Sequence, residues 1–180
     1  LYLPRGWLHQ AETSAHDSLH LTIGITAHTW LDGAKGALEA GEEELAFRRG
    51  VGQEPADGLV DVLAEQLEPE RVLQRQRRRF LDSRRSIRED GLSQLRALER
   101  LDEESVLERR ETVIADLDES PDGPALIFEG KEIRVPAHAA TELRACFESE
   151  DPFRLADLPG DLDSEGRLVL ARRLVREGFL

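Results

Sequence analysis

The chain of 180 residues contains no methionine and only one cysteine, Cys146. An open reading frame starts with Met, so we expect Leu1 to be an internal residue of a longer protein, either a processed product or a fragment. A single cysteine excludes an internal disulfide framework and fits a reducing compartment, which predicts a cytoplasmic location. A lone thiol in a helical pattern is more often a small core residue than a nucleophile.

Long apolar runs are also lacking, and aromatic residues are few. No stretch approaches the roughly 18 apolar residues of a membrane-spanning helix, so we expect no membrane partner. The stretch at 1–8 is interrupted by Arg5 and has neither the length nor the flanks of a signal peptide. Aromatic residues make up 5% of the chain and hydrophobic residues 39%, which permits small cores with few large anchors.

Acidic residues are in excess. The chain has 37 Asp and Glu against 24 Lys and Arg, for a formal net charge of −13. Such a balance repels phosphate backbones, so nucleic acid is not an expected partner. One basic cluster could contact RNA, but its acidic neighbours favour a solvated, salt-bridged helix face. The cluster consists of Arg75, Arg77, Arg78, Arg79, Arg84 and Arg85.

Three regions differ in pattern, at 1–38, 39–118 and 119–180. In the first, Leu19, Leu21, Ile23 and Ile25 alternate with other residues, which predicts a strand over 19–25. Residues 1–3 are typical of the end of another strand, followed by a turn at 4–6. Two paired strands alone are marginal in water, so we expect them to complete a sheet whose other strands lie outside this chain.

The second region is predicted to be helical. Apolar residues at three- and four-residue spacing indicate helices over 39–49, 58–67, 69–85 and 92–101. Pro55 and Pro69 stand where helices can begin. We expect a charged helical layer that forms a bundle or an interaction surface.

The third region mixes strands and helices. It predicts a hairpin of 125–128 and 132–135 around a turn at 129–131, then helices over 137–147 and 163–177. This order suits a small winged-helix-like module. Residues 161–166 open like a calcium loop, but Arg172 stands where a bidentate Glu is needed. A helix start capped by Asp163 or Ser164 is favoured instead.

The strongest local signal lies at the start of the chain. It consists of Pro4-Arg5-Gly6-Trp7-Leu8-His9-Gln10-Ala11 and then Ser18-Leu19-His20-Leu21-Thr22. His9 follows a Pro-Arg-Gly turn next to a predicted strand, which places its imidazole at the rim of a sheet. Neutral imidazole is a good ligand for iron, copper, nickel or zinc, although a lone histidine is more often structural.

These two segments resemble the last strands of the JmjC-type cupin in ribosomal oxygenases, which are protein hydroxylases. The resemblance implies that His9 is the third ligand of a two-His-one-carboxylate iron site, with Fe(II) and 2-oxoglutarate as cofactors. It also implies that Ser18, His20 and Thr22 line the pocket. Their period-two spacing independently places them on one face of a strand, where a buried hydrogen-bonded polar row is the alternative.

The family's other two ligands come from a His-x-Asp or His-x-Glu motif, and neither occurs in this sequence. The lysine that holds 2-oxoglutarate in that family is also expected before Leu1. One histidine cannot hold catalytic iron, so this chain alone is not expected to be a complete enzyme. It is identified as the C-terminal portion of one.

More weakly, the resemblance extends along the whole chain and implies an α+β fold in three parts. Residues 1–38 would be the C-terminal strands of an incomplete cupin, or double-stranded β-helix. Residues 39–118 would form a helical region that makes a homodimer, and residues 119–180 a winged-helix-like domain. The intact parent would hydroxylate a protein, with a ribosomal protein as the candidate substrate.

Two other functions are considered. The first is a non-catalytic dimerising or protein-interaction module from a cupin that has lost its iron site. The second is transcriptional regulation through the winged helix, which the negative charge disfavours because a helix that reads DNA should be basic.

Overall fold

The fold was obtained as a computed structural model. It describes residues 2–4, 6–13, 19, 21, 23–25, 27–50, 58–86, 96–120 and 123–180. Within these ranges the elements run, in chain order, α1 (Trp30–Gly41), α2 (Leu59–Gln66), α3 (Pro69–Ser83), β1 (Val106–Leu107), β2 (Ala115–Asp118), β3 (Ala125–Phe128), β4 (Lys131–Arg134), α4 (Ala140–Glu148), β5 (Phe153–Arg154) and α5 (Ser164–Glu177). Short 3-10 turns span Leu45–Arg48, Ala137–Ala139 and Leu155–Asp157. This mixture is compatible with the predicted α+β class.

The prediction of a helix over 39–49 was wrong: Leu45–Arg48 form only a 3-10 turn, and the helix here is α1, which ends at Gly41. A capping box starts it, in which the Asp32 N–H donates to Thr29 Oγ1 at 3.3 Å and the Thr29 N–H donates to the Asp32 carboxylate at 2.8 Å. Glycines lower its intrinsic helix propensity, which is why the apolar pattern does not reveal it. They serve close packing instead, because a Cβ at Gly33 would lie only 2.7 Å from Val72 Cγ1 on α3.

Helices α2 and α3 confirm the predictions over 58–67 and 69–85. Pro69 occupies the first turn of α3, where its missing N–H leaves no helical hydrogen bond unmade. Val72 and Leu81 are the buried residues of α3. Of the helix predicted over 92–101, the structure describes 96–101, in which residues 96–98 are helical.

Strands β2, β3 and β4 form an antiparallel sheet in that order, and β1 pairs separately with β5. The predicted hairpin is confirmed, with its second strand starting at Lys131. The helical prediction was wrong at β2, whose strand conformation follows from pairing with β3. On the edge strand β2, the Leu117 N–H donates to the carboxylate of Asp116 at 3.2 Å. This charged residue blunts the edge against pairing with another strand.

The main core lies between the three-stranded sheet and helices α4 and α5. Phe128 and Phe179 are fully buried there, with ring centroids 5.5 Å apart. Cys146 is buried in the same cluster, which confirms it as a core residue. Helices α4 and α5 confirm the predictions over 137–147 and 163–177. Asp163 is the N-cap of α5 and accepts the Gly166 N–H at 2.8 Å.

The strand predicted over 19–25 is not formed at the residues of that segment that the structure describes. Leu19 is 100% exposed and Ile25 is 88% exposed, so neither packs against another element. A strand requires a hydrogen-bonded neighbour to satisfy its backbone, and an apolar alternation alone does not provide one.

Candidate functional site

His9, the predicted metal ligand, is exposed at the surface and follows a turn at residues 4–7. The Trp7 N–H donates to Pro4 O at 3.2 Å, which closes the predicted turn, and Gly6 adopts a φ of 86° within it. His9 Nδ1 lies 3.2 Å from Trp7 O. A carbonyl only accepts, so this hydrogen bond requires the proton on Nδ1 and leaves the Nε2 lone pair available to a metal.

The residues that the structure describes do not complete a metal site around His9. Among them, no group of three His, Cys, Asp or Glu side chains is close enough to hold an ion. The predicted pocket residues Ser18, His20 and Thr22 lie outside the described residues. The described residues alone therefore do not fit an iron centre.

An apolar groove of about 820 Å³ lies where the first segment meets the helices. Trp30 at the start of α1 and Leu73 and Phe80 on α3 line it, together with the buried Val72. Trp30 is 66% exposed and Leu73 is 64% exposed, although both are large apolar side chains. The seven-residue spacing of Leu73 and Phe80, which places both on one helix face, is the sequence signal for this surface.

A second apolar surface lies on α1. Leu31 and Leu38 are seven residues apart and therefore share a helix face, and they are 63% and 53% exposed. The opposite side of the helix carries the buried Gly33, Gly36 and Ala37. Helix α1 thus buries its small residues and leaves its leucines in solvent, which is the reverse of the usual pattern.

The basic cluster on α3 confirms the prediction of a salt-bridged helix face. Arg77 pairs with Asp116 on β2 at 2.8 Å, and Arg78 pairs with Glu132 on β4 at 3.1 Å. Arg79 pairs with Glu39 on α1, and Arg75 donates to Gln66 Oε1 at 2.6 Å. These arginines join α3 to its neighbours in the fold, so their charge is already neutralised or hydrogen-bonded.

The thiol of Cys146 is not a nucleophile in this fold. Burial, and then the charge of nearby Glu142, raise the pKa of the thiol to about 12. The reactive thiolate is therefore scarce at neutral pH while the core is closed.

Comparison with known proteins gives one family. Residues 1–32 match the family described as the JmjC domain. The matched segment includes His9, and it ends within the first turn of α1, so it also includes Trp30. This match supports the JmjC cupin family for the first segment of the chain. No curated protein matches the chain. None of the helices in the described ranges is long and apolar enough to cross a membrane.

Proposed function

We propose that this chain is the C-terminal part of an Fe(II)- and 2-oxoglutarate-dependent JmjC-type protein hydroxylase of the ribosomal-oxygenase kind. The observation that carries the proposal is the JmjC match over residues 1–32, a segment that includes His9. A cytoplasmic location is part of the proposal, supported by the single buried cysteine.

In this proposal His9 binds iron through Nε2, while its Nδ1–H bond to Trp7 O fixes the ring. Iron and 2-oxoglutarate would supply the oxidising chemistry, and the protein would supply binding and orientation. Ser18, His20 and Thr22 are the proposed pocket lining. The net charge of −13 would favour a basic protein substrate, such as a ribosomal protein, through charge complementarity.

The test uses the parent protein that contains residues before Leu1. We expect its sequence to hold a His-x-Asp or His-x-Glu motif and the protein to convert 2-oxoglutarate to succinate. His9→Ala should lower this turnover at least about 100-fold, because a ligand is lost. The matched control is His138→Ala, an exposed histidine of the C-terminal module. Full turnover by the His9 variant, or a parent without the motif, would overturn the proposal.

The alternative is a non-catalytic dimerising or protein-interaction module from a cupin that has lost its iron site, and the exposed apolar side chains Leu31, Leu38 and Leu73 support it. This alternative predicts a parent that binds Co(II) no more tightly than its His9→Ala variant. Calorimetric titration of both proteins separates the two functions, since an iron site would lose most of its Co(II) affinity when His9 is replaced.

A homodimer through helices α1 and α3 is also proposed, although α1 begins at Trp30, before the region 39–118 to which the sequence assigns dimerisation. Two surfaces support this proposal. One is the face of α1 that carries Leu31 and Leu38, and the other is the groove that Trp30 and Leu73 line. Both leave large apolar side chains in solvent. Burial of such surfaces between two copies would remove them from water.

Sedimentation equilibrium of the chain tests the dimer. Leu31→Glu combined with Leu38→Glu should convert a dimer to a monomer, because two charges would have to be buried in the interface. Val169→Glu is the control, since Val169 is an exposed apolar residue on α5, away from both surfaces. A monomeric parent chain, or a charged variant that still dimerises, contradicts this surface.

The C-terminal part is proposed to be a winged-helix-like module that contacts protein and not nucleic acid. Its hairpin turn already lies against α3, where the Gly130 N–H donates to Leu81 O at 3.2 Å. On α5, Arg173 pairs with Glu177 at 3.4 Å and Arg172 donates to Leu101 O at 3.4 Å. A sequence-specific gel shift at low salt would overturn this assignment.

A further inference from the structure

The C-terminal ends of two helices converge on one two-residue turn. Glu129 and Gly130 connect β3 to β4, and both have positive φ, at 48° and 71°. The backbone carbonyls at a helix C-terminus lack intrahelical partners and carry the negative end of the helix dipole. The Gly130 N–H of the turn reaches Leu81 O, which also accepts the Arg84 N–H at 3.2 Å, and the side chains of Lys131 and Arg110 reach carbonyls at the end of α5.

On the α3 side the contact is made by the backbone. The Gly130 N–H donates to Leu81 O at 3.2 Å, and Leu81 is buried in the last turn of α3. A Cβ at Gly130 would lie 3.3 Å from Asp82 O, so the turn touches the end of α3 closely. Beside it, Arg78 of α3 pairs with Glu132 of β4.

On the α5 side the contact is made by two cations. Lys131 Nζ donates to Glu177 O, and Arg110 Nη1 donates to Gly178 O at 2.5 Å. Arg110 also pairs with Glu129 at 3.1 Å, and the Glu129 side chain is only 5% exposed. Positive charge at a helix C-terminus is stabilising, and here the turn's own carboxylate balances it.

Glu129 is an unusual residue for the first position of this turn. A two-residue hairpin turn with two positive φ values normally carries Asn-Gly, since a longer side chain is strained there. Glu129 adopts a positive φ in spite of this strain, and its carboxylate accepts a hydrogen bond from Arg110. The backbone of Glu129 thus forms part of the turn, while its side chain connects the turn to α5 through Arg110.

We propose that this turn is a joint between the helical unit, which consists of α1 to α3, and the C-terminal module, which consists of β2 to α5. The joint holds α3 and α5 in a fixed mutual position, so that the two parts unfold together. This coupling does not depend on the proposed iron chemistry.

Two native probes report on the two sides. Trp30 fluorescence reports the helical unit once Trp7→Phe has removed the other tryptophan, and Cys146 reactivity toward a thiol reagent reports opening of the module. In the Trp7→Phe protein we expect the two urea midpoints to coincide. Separate midpoints in this protein would already overturn the joint.

Gly130→Ala is the decisive variant, because its methyl group presses on the end of α3. We expect the Trp30 midpoint to fall by about 0.5 M urea more than the Cys146 midpoint. Gly178→Ala is the matched control, since Gly178 also has a positive φ, at 83°, but caps α5. There both midpoints should fall together.

Coincident midpoints in Gly130→Ala would overturn the proposal. If that variant does not fold, Arg78→Gln removes the neighbouring ion pair with Glu132 without touching the turn backbone. In Arg78→Gln the Trp30 midpoint should again fall below the Cys146 midpoint, by a smaller amount. If the two midpoints still coincide in this variant, the proposal is overturned.

Discussion

Glu142 is a carboxylate in the core, with 0% of the residue exposed. Its Oε1 accepts the Leu162 N–H at 2.7 Å, and the side chain lies directly against Gly160. A buried polar side chain is costly unless it is hydrogen-bonded, so the bond at Oε1 ties the loop before α5 to α4, while Oε2 is buried without a hydrogen-bond partner among the described residues. Gly160 has a φ of 116°, and the carboxylate occupies the space that a side chain there would need.

Gly160→Ala is therefore expected to lower the free energy of unfolding by about 3 kcal/mol, through overlap with Glu142 and an unfavourable φ. Urea denaturation followed by circular dichroism measures the loss. Gly58→Ala is the control, because Gly58 also has a positive φ, at 84°, but a Cβ there meets nothing within 4 Å. Equal losses in the two variants would show that the carboxylate does not confine residue 160.

Single residues were predictable where their chemistry is local. Asp163 caps α5 because its side chain reaches an N–H three residues later, and Cys146 lies in the core because its neighbours are apolar. Glu142 was not predicted, since its partner Leu162 is 20 residues away. The proposed metal site rests on His9 alone, because the sequence contains no His-x-Asp or His-x-Glu motif and the described residues hold no group of three side chains close enough to bind an ion.

At the scale of elements, local patterns predicted α2, α3, α4, α5 and the hairpin. Helix α1 and strand β2 were missed for opposite reasons. In α1 the glycines weaken the helical signal but permit close approach to Val72. In β2 the alternation of Asp116 and Asp118 with Ala115 and Leu117 has little strand propensity, and only the pairing with β3 fixes it.

The cap of α5 gives a test at this scale. Asp163→Ala should lower the free energy of unfolding by about 1 kcal/mol, because the Gly166 N–H loses its acceptor. Ser164→Ala serves as the control, since Ser164 is already inside the helix and exposed. Thermal unfolding of both variants measures the difference, and a larger loss at Ser164 would assign the cap to that residue instead.

At the scale of the whole molecule, the contact between α3 and the sheet is largely charged. Arg77 with Asp116 and Arg78 with Glu132 bridge it, around the buried Leu81. Hydrogen bonds from Arg134 and then Arg78 hold the pKa of Glu132 below its usual value. The sequence could not predict this pairing, since 54 residues separate Arg78 from Glu132.

A lowered pKa means that Glu132 stabilises the fold above its unfolded pKa, and that this contribution is lost as pH falls. Glu132→Gln should therefore be less stable than the parent chain at pH 7, and the gap should close below the ordinary Glu value of 4.5. Urea titrations at several pH values measure it. Glu148→Gln, at an exposed position on α4, is the control. A gap that stays constant down to pH 3 would contradict the assignment.

The row of Leu19, Leu21, Ile23 and Ile25 remains in solvent in this fold. Chaperones and quality-control proteases recognise extended segments of this kind, and such segments also drive strand-to-strand aggregation. In a cell, a chain with this row uncovered would therefore be bound by chaperones or degraded. The abundance of the protein would then depend on the segment or partner that covers the row.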